Sequence, residues 1–236
     1  MHIELWKKPT GCTIIEGFPG FGLVGTIVTE FLLEHLKCEQ IGEFIYDELP
    51  AMIAIHKGQM VRPMAVFHCK KYNLIILQTI LNTKGFEWKI AEAVVHMAKV
   101  LKAKKIISVE GVAATNKVSG QVQPNENPKL LYYGDDKLKK FGAEPVVESI
   151  IIGVSAAVML KYNKLVCIFA ETQSNLPDSK AASEVIGVLD KYLSLEVDTA
   201  PLLKQAEDFE NKLKNIIQQS SKTAEESDKK YLSYLG

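Results

Sequence analysis

Three glycines near the amino end, in Gly20-Phe-Gly22-Leu-Val-Gly25, have the spacing of the dinucleotide-binding fingerprint. In that motif the glycines turn a strand tightly into a helix whose N-terminus holds a pyrophosphate. The same chemistry needs an acidic residue about 20 positions on to hold the ribose, and Glu43, Asp47 and Glu48 lie near that distance. Residues 40–49 carry no clean buried strand to present one of them, however. Phe18, Pro19 and Phe21 put bulk where a pyrophosphate would approach. A tight strand-to-helix turn needs glycine whether or not a phosphate is present. Gly20, Gly22 and Gly25 therefore stand as an alternative cofactor site, and the simpler reading is architectural.

Other reactive groups are sparser. Gly25-Thr26-Ile27 does not continue as the G-K-[ST] of a P-loop. Gly153-Val-Ser155-Ala-Ala157 resembles a nucleophile elbow with alanine in place of its second glycine, and the histidine such a serine requires is missing downstream, since the last one is His96. Glu110 and Glu171 each follow a strand at its carboxyl end, the edge where α/β proteins mount reactive groups, and form the best acid/base pair on offer. Cys12, Cys38, Cys69 and Cys167 show no C-x-x-C pair and no Cys/His cluster, so no metal site is expected. The same spacing suggests reduced thiols in a cytoplasmic core. No complete catalytic set is visible, and the chain reads as a non-enzyme without a cofactor.

Composition agrees with a folded protein that does not live on phosphate. Of 236 residues, 47% are hydrophobic and 24% charged, with 28 basic against 28 acidic side chains and a formal net charge of zero. Nucleic-acid binding would normally show a basic excess. The first residues, MHIELWKKPTG, lack the apolar core of a signal peptide, and the longest apolar run, residues 150–160, is too short to span a bilayer. No membrane and no nucleic-acid partner are expected.

The elements that position these residues alternate between short apolar runs and helical patterns, as in an α/β domain. Residues 12–18 read as a buried strand and 23–36 as a deeply buried helix. Residues 52–56, 63–68 and 74–79 are β-like runs joined by short polar links that suit hairpins, so a mixed sheet is expected. Apolar residues at Ile90, Val94, Met97 and Leu101 predict a helix over 85–102. The strand 106–109 follows, then a polar loop over 113–127. Strands at 130–133 and 165–170 flank a short helix at 136–141. Asn175-Leu-Pro177-Asp178 announces a further helix, because Pro fits a first turn and Asp complements its N-terminal dipole.

Beyond residue 198 the pattern changes. Leu202, Ala206, Phe209, Leu213 and Ile216 repeat at intervals of 4, 3, 4 and 3 among charged neighbours, a narrow heptad seam that seeks one partner surface. A polar leash follows, ending in Tyr231, Leu232, Tyr234, Leu235 and Gly236. The chain thus divides into an α/β core over 1–198, a heptad-patterned helix over 199–220 and an aromatic tail over 221–236.

The stretches GFPGFGLVGTIVTEFL, VEGVAATN and AETQSNLPDSKAASEVIGVLDKYLSLEVD, with the 202–218 helix, resemble the archaeal branch of the proteasome assembly chaperone family, second type. Some relatives carry an ATP-grasp-related label. The paired nucleotide strands and Mg²⁺ carboxylates of such enzymes have no counterpart in this sequence. The resemblance implies a single α/β domain similar to a nucleoside phosphorylase or hydrolase fold. It also implies a homo-oligomeric cytoplasmic chaperone that binds proteasome α-subunits. Proteins that dock on the α-ring often end in hydrophobic-Tyr-any; here Tyr234-Leu235-Gly236 places the aromatic third from the end. The expected protein-binding residues are Tyr231, Leu232, Tyr234, Leu235 and Gly236, and the alternative is a nucleotide- or nucleoside-dependent enzyme built on the 20–25 loop.

Overall fold

In a computed structural model, which describes residues 1–47, 53–56, 59–79, 81–113, 128–172 and 176–204, the apolar runs pair into one mixed sheet. Its elements in chain order are β1 (His2–Leu5), β2 (Thr13–Glu16), α1 (Val24–His35), β3 (Glu39–Ile45), β4 (Ala54–His56), β5 (Gln59–Val61), β6 (Met64–Cys69), β7 (Leu74–Thr79), α2 (Glu87–Val100), β8 (Lys105–Ala113), β9 (Leu130–Tyr133), β10 (Glu144–Pro145), α3 (Val154–Lys161), β11 (Leu165–Thr172), α4 (Ser179–Leu193) and α5 (Ala200–Lys204). Nine strands lie in the order β1-β3-β6-β7-β2-β8-β11-β9-β10, while β4 and β5 form a separate antiparallel pair.

The four central strands β7, β2, β8 and β11 are parallel. Parallel strands joined by helical crossovers are buried on both faces, which is why their sequences are nearly continuous in Ile, Leu and Val. Alternate residues serve opposite layers: Ile15, Ile76 and Ile107 pack beneath α1 and α4, whereas Ile14, Ile75 and Ile106 pack beneath α2 and α3. Outside this centre β6, β3 and β1 add antiparallel strands on one side and β9 on the other.

Several helices form where sequence periodicity places them. The stripe Ile90, Val94 and Met97 of α2 is buried, and Asp178 caps α4 by accepting from the Ala181 amide at 2.9 Å. Two expectations are corrected. Residues 39–45 do form a strand, paired with β1 on one side and β6 on the other; its alternating polar residues and the irregularity between Gln40 and Gly42 hide the pattern. The cysteines are not all reduced: Cys38 and Cys69 are joined by a disulfide, and only Cys12 and Cys167 are free. Spacing could not reveal this pair, because the pairing of β3 with β6 brings the two cysteines together across 31 residues of sequence. Of the heptad seam, Leu202 is buried against the α1–α4 layer; the rest of the seam, the 114–127 loop and the tail lie outside the described residues.

Candidate functional site

From β2 the chain builds β3, β6 and β7 to one side, then returns through α2 to place β8 on the other side. The crevice between the carboxyl ends of β2 and β8 is therefore the switch point where open α/β sheets bind ligands. Glu16, the last residue of β2, pairs in register with Ser108 of β8. Glu110 lies two residues further on, so the twofold strand period puts Glu16, Ser108 and Glu110 on one face. The first turn of α3 covers that face, and the hydroxyls of Ser108 and Ser155 hydrogen-bond at 2.6 Å.

Glu16 is fully buried, and neither of its carboxyl oxygens completes a hydrogen bond. Burial pushes its pKa up to about 8; the Ser108 hydroxyl pulls the other way, and the neighbouring Glu110 charge adds to the rise. Glu110 is partly exposed, but its Oε2 is shielded and unpaired. Burial raises this group to about 7, against a lowering contribution from the Ser155 hydroxyl. Both carboxyls thus retain protons at a pH where ordinary glutamates are charged. The nearby Cys167 thiol is pushed up by burial and then by both carboxylates, which makes it a poor nucleophile.

The glycine turn closes on its own sheet. A Cβ at Gly17 would lie 2.2 Å from the Gly25 carbonyl oxygen, and one at Gly25 would lie 2.4 Å from that of Val109. Gly22 has φ +61°, and a Cβ there would meet the Thr172 hydroxyl at 2.8 Å. The Phe21 carbonyl rests on Gly111, where a Cβ would come within 2.0 Å of it. Phe18 is buried in the α2–α3 layer. The turn backbone thereby lies over the ends of β8 and β11, and Gly22 accepts the Asp178 amide at 2.9 Å. These contacts give Gly17, Gly22 and Gly25 an architectural reason that involves no phosphate. Gly20 differs: its Cβ position faces Glu110 Oε1 at 3.1 Å.

Most of the remaining candidates disperse. Glu43 is on an antiparallel strand and pairs with Arg62, Asp47 is exposed, and Glu48 is outside the described residues. Glu171 sits on β11 beside β8, in register with Val112 and so on the same face as Glu110, and its amide donates to the Lys129 carbonyl; Glu16 is a further carboxyl on that face, which sequence reading missed. A glutamate closing an otherwise apolar buried strand is the signal that could have found it. Ser155 is buried within a helix, and His96 is exposed on α2, so neither belongs to a triad. Among the described residues no group of three or more His, Cys, Asp or Glu side chains could hold a metal, and no helix is long and apolar enough to cross a membrane.

A different kind of site lies on the surface. Val147, Ile150 and Ile152, between β10 and α3, are 88%, 89% and 73% exposed, and Leu160 near the end of α3 is 75% exposed. Ile53 and Met60, by the β4–β5 hairpin, are also exposed. Bulky apolar groups gathered in this way mark interaction surfaces. In the sequence the signal is PVVESIIIG, an apolar stretch that fits neither the strand nor the helix period.

Comparison with known proteins places this geometry. The model of the PAC2 family matches residues 14–217. An uncharacterised protein of Methanocaldococcus jannaschii, MJ0106, is 27% identical over 228 residues, covering 94% of this chain and 92% of that protein. Among solved structures, Pyrococcus furiosus PbaA, an archaeal homolog of proteasome-assembly chaperone, superposes with a TM-score of 0.80 at 27% identity over 94% of this chain and 99% of its own. Pyrococcus furiosus PbaB, an archaeal proteasome activator, shares the fold with a TM-score of 0.71 at 21% identity, covering 91% and 97% of the two chains.

Proposed function

The chain belongs to the PAC2 family, and from that premise we propose that it is a non-enzymatic proteasome assembly chaperone or adaptor that binds proteasome α-subunits. The observation that carries this reading is the near full-length likeness to PbaA, combined with a glycine turn whose backbone closes on its own sheet. In this reading the protein is cytoplasmic and homo-oligomeric. The core over 1–198 presents the surface, the helix over 199–220 offers a heptad seam, and the tail over 221–236 docks on the α-ring through Tyr231, Leu232, Tyr234, Leu235 and Gly236. Several tails on one oligomer would raise avidity by effective concentration.

Affinity capture of α-subunits, free and ring-assembled, tests the reading. Capture at low and moderate salt is expected; failure with both forms would overturn it. Deleting 231–236 should leave melting unchanged and sharply weaken capture, and Tyr234→Ala alone should cost on the order of 2 kcal/mol of binding. A truncation that lowers the melting temperature by many degrees while capture persists would make the tail a structural clasp.

The buried Glu16–Glu110 pair at the switch point favours a second reading, a nucleotide- or nucleoside-dependent enzyme with Glu110 as acid or base. Calorimetry against ATP, NAD and nucleosides separates the two. A dissociation constant below about 100 μM, roughly −5.5 kcal/mol, would revive the second.

A further inference from the structure

We infer that the apolar rim formed by residues 146–152 and the outer side of α3 is the surface through which this chain pairs with a second copy of itself. The inference rests on the homo-oligomeric reading above and assigns the face that reading leaves open. The rim is held in place rather than loose. The Val146 amide donates to the Tyr132 carbonyl at 2.9 Å, continuing the pairing of β10 with β9. Val146 and Ile151 turn inward against the α2–α3 core, and Gly153 leads directly into α3. Between these anchors Val147, Ile150 and Ile152 point outward, so their 73–89% exposure belongs to a fixed backbone. Trp88 on α2, 55% exposed, is linked to the last turn of α3 through Lys161, whose ammonium lies 5.3 Å from the indole ring.

The size and charge of this surface fit a second copy. Aliphatic side chains of this kind bury on the order of 60–120 Å² each, and an indole roughly 200 Å² when wholly covered. Val147, Ile150, Ile152, Leu160 and the open half of Trp88 therefore offer on the order of 500 Å² per copy, most of the ~800 Å² that each partner contributes to a standard interface. Two like copies meet without net repulsion because the formal charge is zero. An isologous contact sets one patch against its own copy, so the patch must be self-complementary. Glu148 supplies a negative group in the exposed stretch, and Lys161, already paired with Glu92 at 3.0 Å, brings a neutralised ion pair to its edge.

Sedimentation equilibrium of the full chain, wild type against the pair Ile150→Asp and Ile152→Asp, tests the assignment. The wild type is expected to exceed its 26.2 kDa subunit mass at micromolar concentration, and the double variant to self-associate at least 100-fold more weakly. A monomeric wild type would remove the oligomer itself. An associating wild type whose variant associates equally well would remove only this face, and Met60→Asp would then report on the hairpin as the rival surface. Should the double variant lose its circular dichroism, Ile150→Ser with Val147→Ser replaces it. Undiminished association of that folded pair also overturns the inference.

Discussion

The turn from β2 into α1 and the segment from β10 into α3 both reach Glu110: the Cβ positions of Gly20 and Gly153 lie 3.1 and 3.5 Å from its Oε1. Yet they are built in opposite ways. The first folds inward until backbone meets backbone, with Gly17, Gly25 and Gly111 leaving no room for even a methyl group. The second turns half of its apolar residues outward. A turn packed to that density specifies the fold and requires glycine whether or not a ligand is bound. An outward apolar rim contributes little to the fold of the subunit and is free to serve a partner. In this chain the glycines that look like a chemical motif have structural reasons for their positions, and the exposed apolar residues sit where the sequence offers no motif.

That contrast can be broken most easily at Gly25. Gly25→Ala drives a methyl group against the Val109 carbonyl and should cost on the order of 3 kcal/mol or more in chemical denaturation, whereas a loss below about 1 kcal/mol would show that the turn is loose enough to admit a ligand. The disulfide is of similar weight. Reducing Cys38–Cys69, which closes 31 residues of chain, should lower stability by about 3 kcal/mol. Melting curves that coincide with and without a dithiol reductant would contradict this.

The carboxyl pair sharpens the comparison through pH. Because the folded-state pKa of Glu16, about 8, lies above the ordinary 4.5, the folded protein holds its proton where the unfolded chain has lost it. The stability associated with this group is complete below about pH 4.5 and declines as pH rises towards 8; Glu110 acts in the same direction up to about 7. Glu16→Gln removes the larger slope, so the variant should gain on the wild type by on the order of 4 kcal/mol near pH 8. Parallel stability profiles from pH 5 to 9 would refute a neutral buried Glu16. The smallest effect belongs to the rim. Ile150→Ser should alter the stability of the isolated subunit by no more than about 0.5 kcal/mol, measured below the concentration at which copies associate.

Much of the scaffold was legible because its residues obey one period at a time. The strand at 130–133, the α2 stripe and the Asp178 cap each follow from local pattern, and the polar link at 70–73 correctly suggested the antiparallel β6–β7 pairing, whereas the run at 52–56 pairs with β5 apart from the main sheet. What stayed hidden depends on contacts distant in sequence. Residues 39–45 form a strand only because β1 and β6 flank them, and the same pairing creates the disulfide. Glu16 and Glu110 are 94 positions apart and meet only through strand order; Glu110 and Glu171 could be paired from the sequence because each lies towards the carboxyl end of a strand. The glycine motif was legible as a turn, but its meaning depended on what its Cβ positions would strike.

The proposed function is that of a chaperone that engages α-subunits without doing chemistry. Native mass spectrometry of the full chain mixed with α-subunits, with adenosine and ATP present in the same solution, tests both halves together. A complex containing both proteins, with neither small molecule retained, is expected. Unbound α-subunits, free and ring-assembled alike, beside a chain that carries a nucleoside or nucleotide would contradict it.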